Sequence, residues 1–177
     1  DVAVMNNGGI RANLRAGPAS YGTLFEVQPF ANILYRVTVS GSALRAYLEN
    51  LMARTPNVHV SGVTIRYDST RVAGARILSA RLSDGREIIP GARYAIILND
   101  FLATGGDGLA VTTGALRTEV LPIVDLDALI SYMEASPQPF QAPTDVRLIL
   151  APPARAPPPY ACSAIAGAPR PPPAART

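Results

Sequence analysis

The apolar run Tyr94-Ala95-Ile96-Ile97-Leu98 empties directly into Asn99-Asp100-Phe101-Leu102-Ala103-Thr104-Gly105-Gly106-Asp107-Gly108. The run reads as a buried central strand, and the chain leaves it through a glycine-rich loop carrying one aromatic ring and one carboxylate. Glycine lets backbone approach a ligand closely, so a loop of this kind at a strand end has the makings of a site. Phe101 offers a flat apolar face and Asp107 a two-oxygen acceptor, which together suit a ligand with a ring at one end and hydroxyls at the other. The same residues also read as a plain turn with a core phenylalanine.

The other elements are placed around that strand. Residues 2–5 form a short strand, followed by a polar glycine loop, Asn6-Asn7-Gly8-Gly9-Ile10-Arg11. Ser20 starts a short helix over 21–25. Pro29 forces extended backbone, and 33–40 alternates as a strand. Ser42 is the expected N-cap of a helix over 43–54, whose apolar stripe is Leu44, Tyr47, Leu48 and Leu51. Residues 58–67 read as a strand interrupted or bulged at Ser61-Gly62. A hairpin over 76–89 turns at Asp84-Gly85, and short strands are expected at 109–112 and 144–150. A helix over 126–134 buries Leu126, Leu129, Ile130 and Met133. From Ala151 the chain turns to proline, alanine and arginine, so residues 1–150 are expected to form one domain and 151–177 a disordered or polyproline tail.

Composition narrows the chemistry. The chain of 177 residues is 48% hydrophobic and 16% charged, ordinary for one folded domain. All sixteen basic residues are arginine, scattered along the chain, and the net charge of +3 is too small and too dispersed to argue for nucleic-acid binding. Cys162 is the only cysteine and His59 the only histidine, so neither a disulfide framework nor a His-rich metal centre can be built. His59, alternating with valines, reads more readily as a sheet residue than as a ligand contact. No apolar run approaches the roughly eighteen residues of a membrane span. The chain opens in mid-strand, which reads as a piece of a longer protein.

Four stretches in order, Asn6 to Arg11, Gln28-Pro29-Phe30-Ala31-Asn32, Val39-Ser40-Gly41-Ser42-Ala43-Leu44 and Asn99 to Gly108, make the chain resemble the C-terminal domain of the 5'-nucleotidase family. That family includes UDP-sugar hydrolases and 2',3'-cyclic phosphodiesterases. The resemblance implies an α+β fold, a four-layer α/β/β/α sandwich with mixed sheets. It also implies a two-domain enzyme whose N-terminal metallophosphatase domain holds two divalent metal ions while the C-terminal domain holds the nucleoside. Phe30 and Phe101 match the two rings that stack on the base, and Asp107 matches the aspartate that takes the ribose hydroxyls. Arg11 matches an arginine on the ribose or phosphate, and Asn6 and Asn32 match asparagines lining the base pocket.

On that reading the chain supplies substrate-binding residues and no catalytic or metal-ligating ones. It carries no cofactor of its own and is inactive alone. Its partners are a nucleotide or nucleoside and a metallophosphatase domain of the same protein, in a periplasmic, extracellular or cell-surface setting. The alternative is a non-catalytic module that binds nucleosides or nucleotide sugars.

Overall fold

In the computed structural model, which describes residues 1–53, 58–111 and 114–152, two mixed sheets share one hydrophobic core. The larger sheet has the order β3-β1-β6-β2-β7, built from β1 (Val2–Asn6), β2 (Ile33–Ser40), β3 (Val58–Ser61), β6 (Arg93–Asn99) and β7 (Ala115–Val124). The smaller has the order β5-β4-β8, from β4 (Val63–Tyr67), β5 (Ile77–Leu82) and β8 (Leu148–Leu150). The β1–β6 and β4–β8 pairs are parallel and the rest antiparallel. Helices α1 (Tyr21–Val27), α2 (Gly41–Ala53), α3 (Asp100–Ala103) and α4 (Asp125–Ala135) complete the expected α+β sandwich.

Alternation in the strands decides the core. Val2, Val4, Val37, Val39, Ile96 and Leu98 project from one face of the large sheet, and Val63, Ile65, Ala80 and Leu82 from the small one. Helix α2 fills the space against both sheets with Leu44, Leu48, Leu51 and Met52, all buried. Its buried Glu49 accepts the backbone N–H groups of Arg76 and Ile77, each at 3.0 Å, and so ties the helix to the start of β5. Arg76 returns the tie by donating to the carbonyls of Met52 and Ala53 at the helix end.

Several expectations need correction. Helix α2 starts at Gly41, ahead of the expected cap at Ser42. The N–H groups of Gly41 and Ser42 donate to the carbonyls of Ala92 and Pro90, and the Ser40 hydroxyl accepts from Ala43, so the helix needs no preceding turn. The stretch 58–67 is interrupted at Gly62, and its two halves are strands in different sheets, not one bulged strand. Gly62 takes φ +79° between them, and a Cβ there would lie 1.9 Å from the Asp1 carbonyl oxygen. The second hairpin arm is reduced to a bridge between Arg81 and Glu87, because Ile89 donates to the Tyr94 hydroxyl and its carbonyl closes a turn with Ala92.

Residues 109–111 are not a strand: the Leu109 N–H closes a tight turn on Gly106, and Leu109 and Val111 anchor the loop by burial. Residue 112 lies outside the described residues. Strand β7 is an element the sequence pattern does not announce, and β8 is shorter than 144–150. Helix α1 starts as expected, with Ser20 and Thr23 forming a reciprocal capping box. Ala151 is buried and donates to the Tyr67 carbonyl, while 153–177, most of the expected tail, lie outside the described residues.

Candidate functional site

Four neighbouring strands of the large sheet bring chemistry to the same end. Strands β1 and β6 run parallel and finish there at Asn6 and Asn99. Strand β2, antiparallel to β6, begins there just after Phe30-Ala31-Asn32, with Leu34 opposite Asn99. Strand β7 ends opposite β2, Val124 facing Ile33, and hands over to α4 at Asp125. Stretches as far apart in the chain as Asn6 and Asp125 therefore meet at one sheet end, as sites in sheet proteins commonly do.

There, Asn6, Gly8, Gly9, Phe30, Asn32, Phe101 and Asp107 line an open pocket of about 300 Å³. Five of the six residues singled out from the sequence thus share one cavity. The sixth, Arg11, stands at its margin: its guanidinium carbon lies 5.9 Å from the Phe30 ring centroid, and it donates to the Gly8 carbonyl at 3.3 Å. Phe30 is 54% exposed and Phe101 44%, so two large apolar rings face the opening instead of the core.

Phe101 is presented by α3, whose first turn is capped by the Asn99 side chain accepting from Leu102 and pinned by buried Leu102 and Ala103. Ala31 sits at φ +50° and Asp107 at φ +54°. Left-handed backbone is tolerable for aspartate but costs alanine on the order of 1 kcal/mol, a strain located between Phe30 and Asn32.

The floor is made of amides held from behind. Asn99 is almost wholly buried; its oxygen accepts from Leu102 at 2.9 Å, and its nitrogen donates to Asn6 Oδ1 at 3.0 Å and more weakly to Met5 Sδ. Asn32 Nδ2 donates to Asp125 Oδ2 at 3.3 Å, Asp125 Oδ1 accepts from the Leu126 N–H at 2.8 Å, and the Asp125 N–H donates to the Asn32 carbonyl. Burial raises the Asp125 carboxyl above the usual carboxylate range; the bonds from Leu126 and Asn32 oppose that rise, and the nearby Asp100 adds to it. Sequence reasoning gives Asn99 and Asp125 no role at the site. Asn99 sits inside the glycine-loop stretch without a distinguishing signal, and Asp125 stands at a helix start, where a carboxylate is expected for the helix dipole alone.

His59 lies on β3 away from the pocket, its Nε2 2.9 Å from Asn7 Oδ1, where it steadies the first glycine loop. A larger groove of about 920 Å³ lies between residues 14–19 and α4 and shares no lining residue with the pocket. Volume alone does not choose between them. The larger groove also carries amides and a carboxylate, Gln138, Gln141 and Glu134, but the smaller one brings two exposed phenylalanine rings together with Asn6, Asn32, Asp107 and both glycine loops. Among the described residues no three His, Cys, Asp or Glu side chains gather as a metal centre needs.

A family model of the 5'-nucleotidase C-terminal domain matches residues 1–114, from β1 through the whole of the second glycine loop. The chain belongs to that family. Endonuclease YhcR of Bacillus subtilis is 31% identical over 154 residues, covering 85% of this chain and 12% of that protein. A 5'-nucleotidase of Vibrio cholerae is 32% identical over 136 residues, covering 77% of this chain and 24% of its own length. The crystal structure of a 5'-nucleotidase precursor from Thermus thermophilus superposes with a TM-score of 0.75 at 30% identity, over 84% of this chain and 31% of that one. This 5'-nucleotidase C-terminal domain spans about a quarter or less of the length of each of these two proteins.

Proposed function

We propose that this domain binds the nucleoside part of a nucleotide and positions it for phosphate-ester hydrolysis by a metallophosphatase domain of the same protein. The observation that carries the reading is the convergence of Phe30, Phe101, Asn6, Asn32 and Asp107 on one pocket of about 300 Å³. Two exposed rings at a pocket mouth suit a flat base, which any nucleoside offers. The Asp107 carboxylate suits two ribose hydroxyls as a double acceptor, and Arg11 at the margin suits an anionic group beyond the sugar.

Binding of this kind contributes to rate by holding the phosphate in line with an attacking water, while metal ions in the partner domain supply the charge and the nucleophile. On this reading the domain's own part is orientation. One domain type recurs in a protein named an endonuclease and in one named a 5'-nucleotidase, which fits a part that holds the nucleoside unit and leaves the reaction to its neighbours. No helix among the described residues is long and apolar enough to cross a membrane, and on this reading the protein works in the periplasm, outside the cell or at its surface.

The test is nucleoside titration of the purified chain. Phe30→Ala and Phe101→Ala are each expected to weaken binding by about 1–3 kcal/mol, the range for base stacking on an aromatic. Asp107→Asn is expected to penalise ribosides more than 2',3'-dideoxyribosides, which lack the 2' and 3' hydroxyls the carboxylate would accept from. Unchanged binding in both alanine variants refutes the pocket; an equal effect of Asp107→Asn on both ligand types refutes the ribose role.

A further inference from the structure

The two amides in the pocket floor are not free to present either end. A backbone N–H can only donate, so the Leu102 N–H fixes Asn99 with its oxygen toward α3 and its nitrogen toward Asn6. That nitrogen can only donate as well, so Asn6 meets it with Oδ1 and has its Nδ2 donor left for the pocket, beside Gly8. On the other side the Leu126 N–H occupies Asp125 Oδ1, and the remaining oxygen accepts from Asn32 Nδ2. Asn32 therefore has its Oδ1 acceptor left for the pocket. The floor offers one donor and one acceptor, and each is set by a residue outside the pocket lining.

We propose that Asn99 and Asp125 are positioning residues that fix this polarity, and that the site consequently favours bases with an exocyclic amino group beside a ring acceptor nitrogen over their oxo counterparts. The inference rests on the reading of the pocket as a nucleoside site. Adenine presents one donor and one acceptor on either accessible edge, N6 with N1 or N6 with N7. Hypoxanthine presents such a pair on only one edge, O6 with N1–H, and two acceptors on the other. Whichever edge faces the floor, adenine matches it; hypoxanthine matches on one edge alone, and in the reversed sense. Cytosine stands to uracil as adenine stands to hypoxanthine.

Replacing Asp125 with asparagine changes no heavy-atom shape and reverses one end of the floor. The Leu126 N–H still requires an oxygen, so the new amide nitrogen takes the place of Oδ2 and donates toward Asn32. Asn32 then turns over and shows Nδ2 to the pocket. The floor becomes two donors, which suit the O6 and N7 acceptors of hypoxanthine and no edge of adenine.

The experiment is calorimetric titration of the full chain with adenosine and with inosine, in wild type, Asp125→Asn and Asp125→Ala, with urea unfolding to establish that each variant is folded. Wild type is expected to bind adenosine more tightly by about tenfold, the size of one matched hydrogen bond. Asp125→Asn is expected to reverse the order, and Asp125→Ala, which leaves Asn32 unguided, to bring the ratio near one. A residue that merely supported the fold would weaken both nucleosides together and leave their ratio alone; that result in either folded variant overturns the inference. Failure of wild type to bind either nucleoside refutes instead the nucleoside reading on which it rests.

Discussion

Gly106 is where a single methyl group tests the site without touching the fold. A Cβ built at this position lies 2.4, 2.5 and 2.6 Å from three atoms of the Phe101 ring, against an ordinary carbon contact of about 3.5 Å. In Gly106→Ala the ring must therefore retreat by about 1 Å. It can do so because Phe101 is 44% exposed and has open solvent beside it. Gly106 is not in the left-handed region, so alanine there carries no backbone penalty, whereas Gly105 at φ +98° would impose about 1–2 kcal/mol of strain on any side chain.

The two substitutions are thus expected to separate. Gly106→Ala should leave unfolding free energy within about 1 kcal/mol of wild type, the cost of moving a ring off its rotamer. It should weaken nucleoside binding by about 1–3 kcal/mol, or about 5- to 150-fold, because a displaced ring forfeits most of its stacking. Gly105→Ala should lower stability first. Chemical denaturation and nucleoside titration on both variants read the two effects independently. Wild-type affinity in Gly106→Ala would refute the assignment of Phe101 as a wall of the base site.

Three further outcomes are expected. Tyr47→Phe should be neutral or stabilise by about 1 kcal/mol in urea unfolding, because the buried hydroxyl has no hydrogen-bond partner among the described residues and burial pushes its pKa up to about 12; a loss of more than 1 kcal/mol would show that the hydroxyl is satisfied. Glu49→Ala should cost about 3 kcal/mol by stranding the Arg76 and Ile77 N–H groups, and Glu49→Gln, which keeps one acceptor, about half as much. Stability should fall on acidification below about pH 4: Asp68, held low by the Thr70 hydroxyl and N–H, and Asp84 and Asp145, held low by Arg86 and Arg147, contribute stability present above the unfolded carboxylate pKa and lost as pH falls through their folded values. Asp125, raised by burial, has the opposite sign, its contribution being present at low pH and lost as pH rises, so Asp125→Asn should steepen the net acid loss in a thermal melt series and Asp68→Asn should shallow it.

The elements legible in the sequence are those whose local pattern and tertiary role agree. The 33–40 alternation, the α2 stripe and the Ser20 cap each signal locally what the core then uses. The misreadings fall where tertiary partners override local chemistry. Ser42 looks like a cap, yet the carbonyls of Pro90 and Ala92 satisfy the first turn and let α2 start earlier. Gly62 reads as a break or a bulge with nothing to choose between them, and its left-handed backbone sends the chain from one sheet to the other. Strand β7 gives almost no alternation, since it forms one edge of its sheet, carries Pro122 and is exposed at most positions; its pairing with β2, broken by two register shifts, defines it.

The residues that face the pocket are legible because their types announce chemistry: exposed rings, a carboxylate among glycines, asparagines beside them. Those that orient them are not, because Asn99 and Asp125 act through partners that only the sheet order brings close. Strand β6 lies between β1 and β2 although it follows them by some fifty residues or more, which puts Asn99 against Asn6, and the β2–β7 pairing puts Asp125 against Asn32. Neither contact has a sequence period or a turn signal. Each is nonetheless determined in direction: the Leu102 N–H can only donate, and the Asn99 amide relays that constraint to Asn6, while the Asp125 carboxylate can only accept and so draws the Asn32 nitrogen toward itself. The floor's selectivity is therefore written in the first turns of α3 and α4, at the Leu102 N–H and the Asp125 carboxylate, and substitutions that shift those helix starts should alter base preference before they alter stacking affinity.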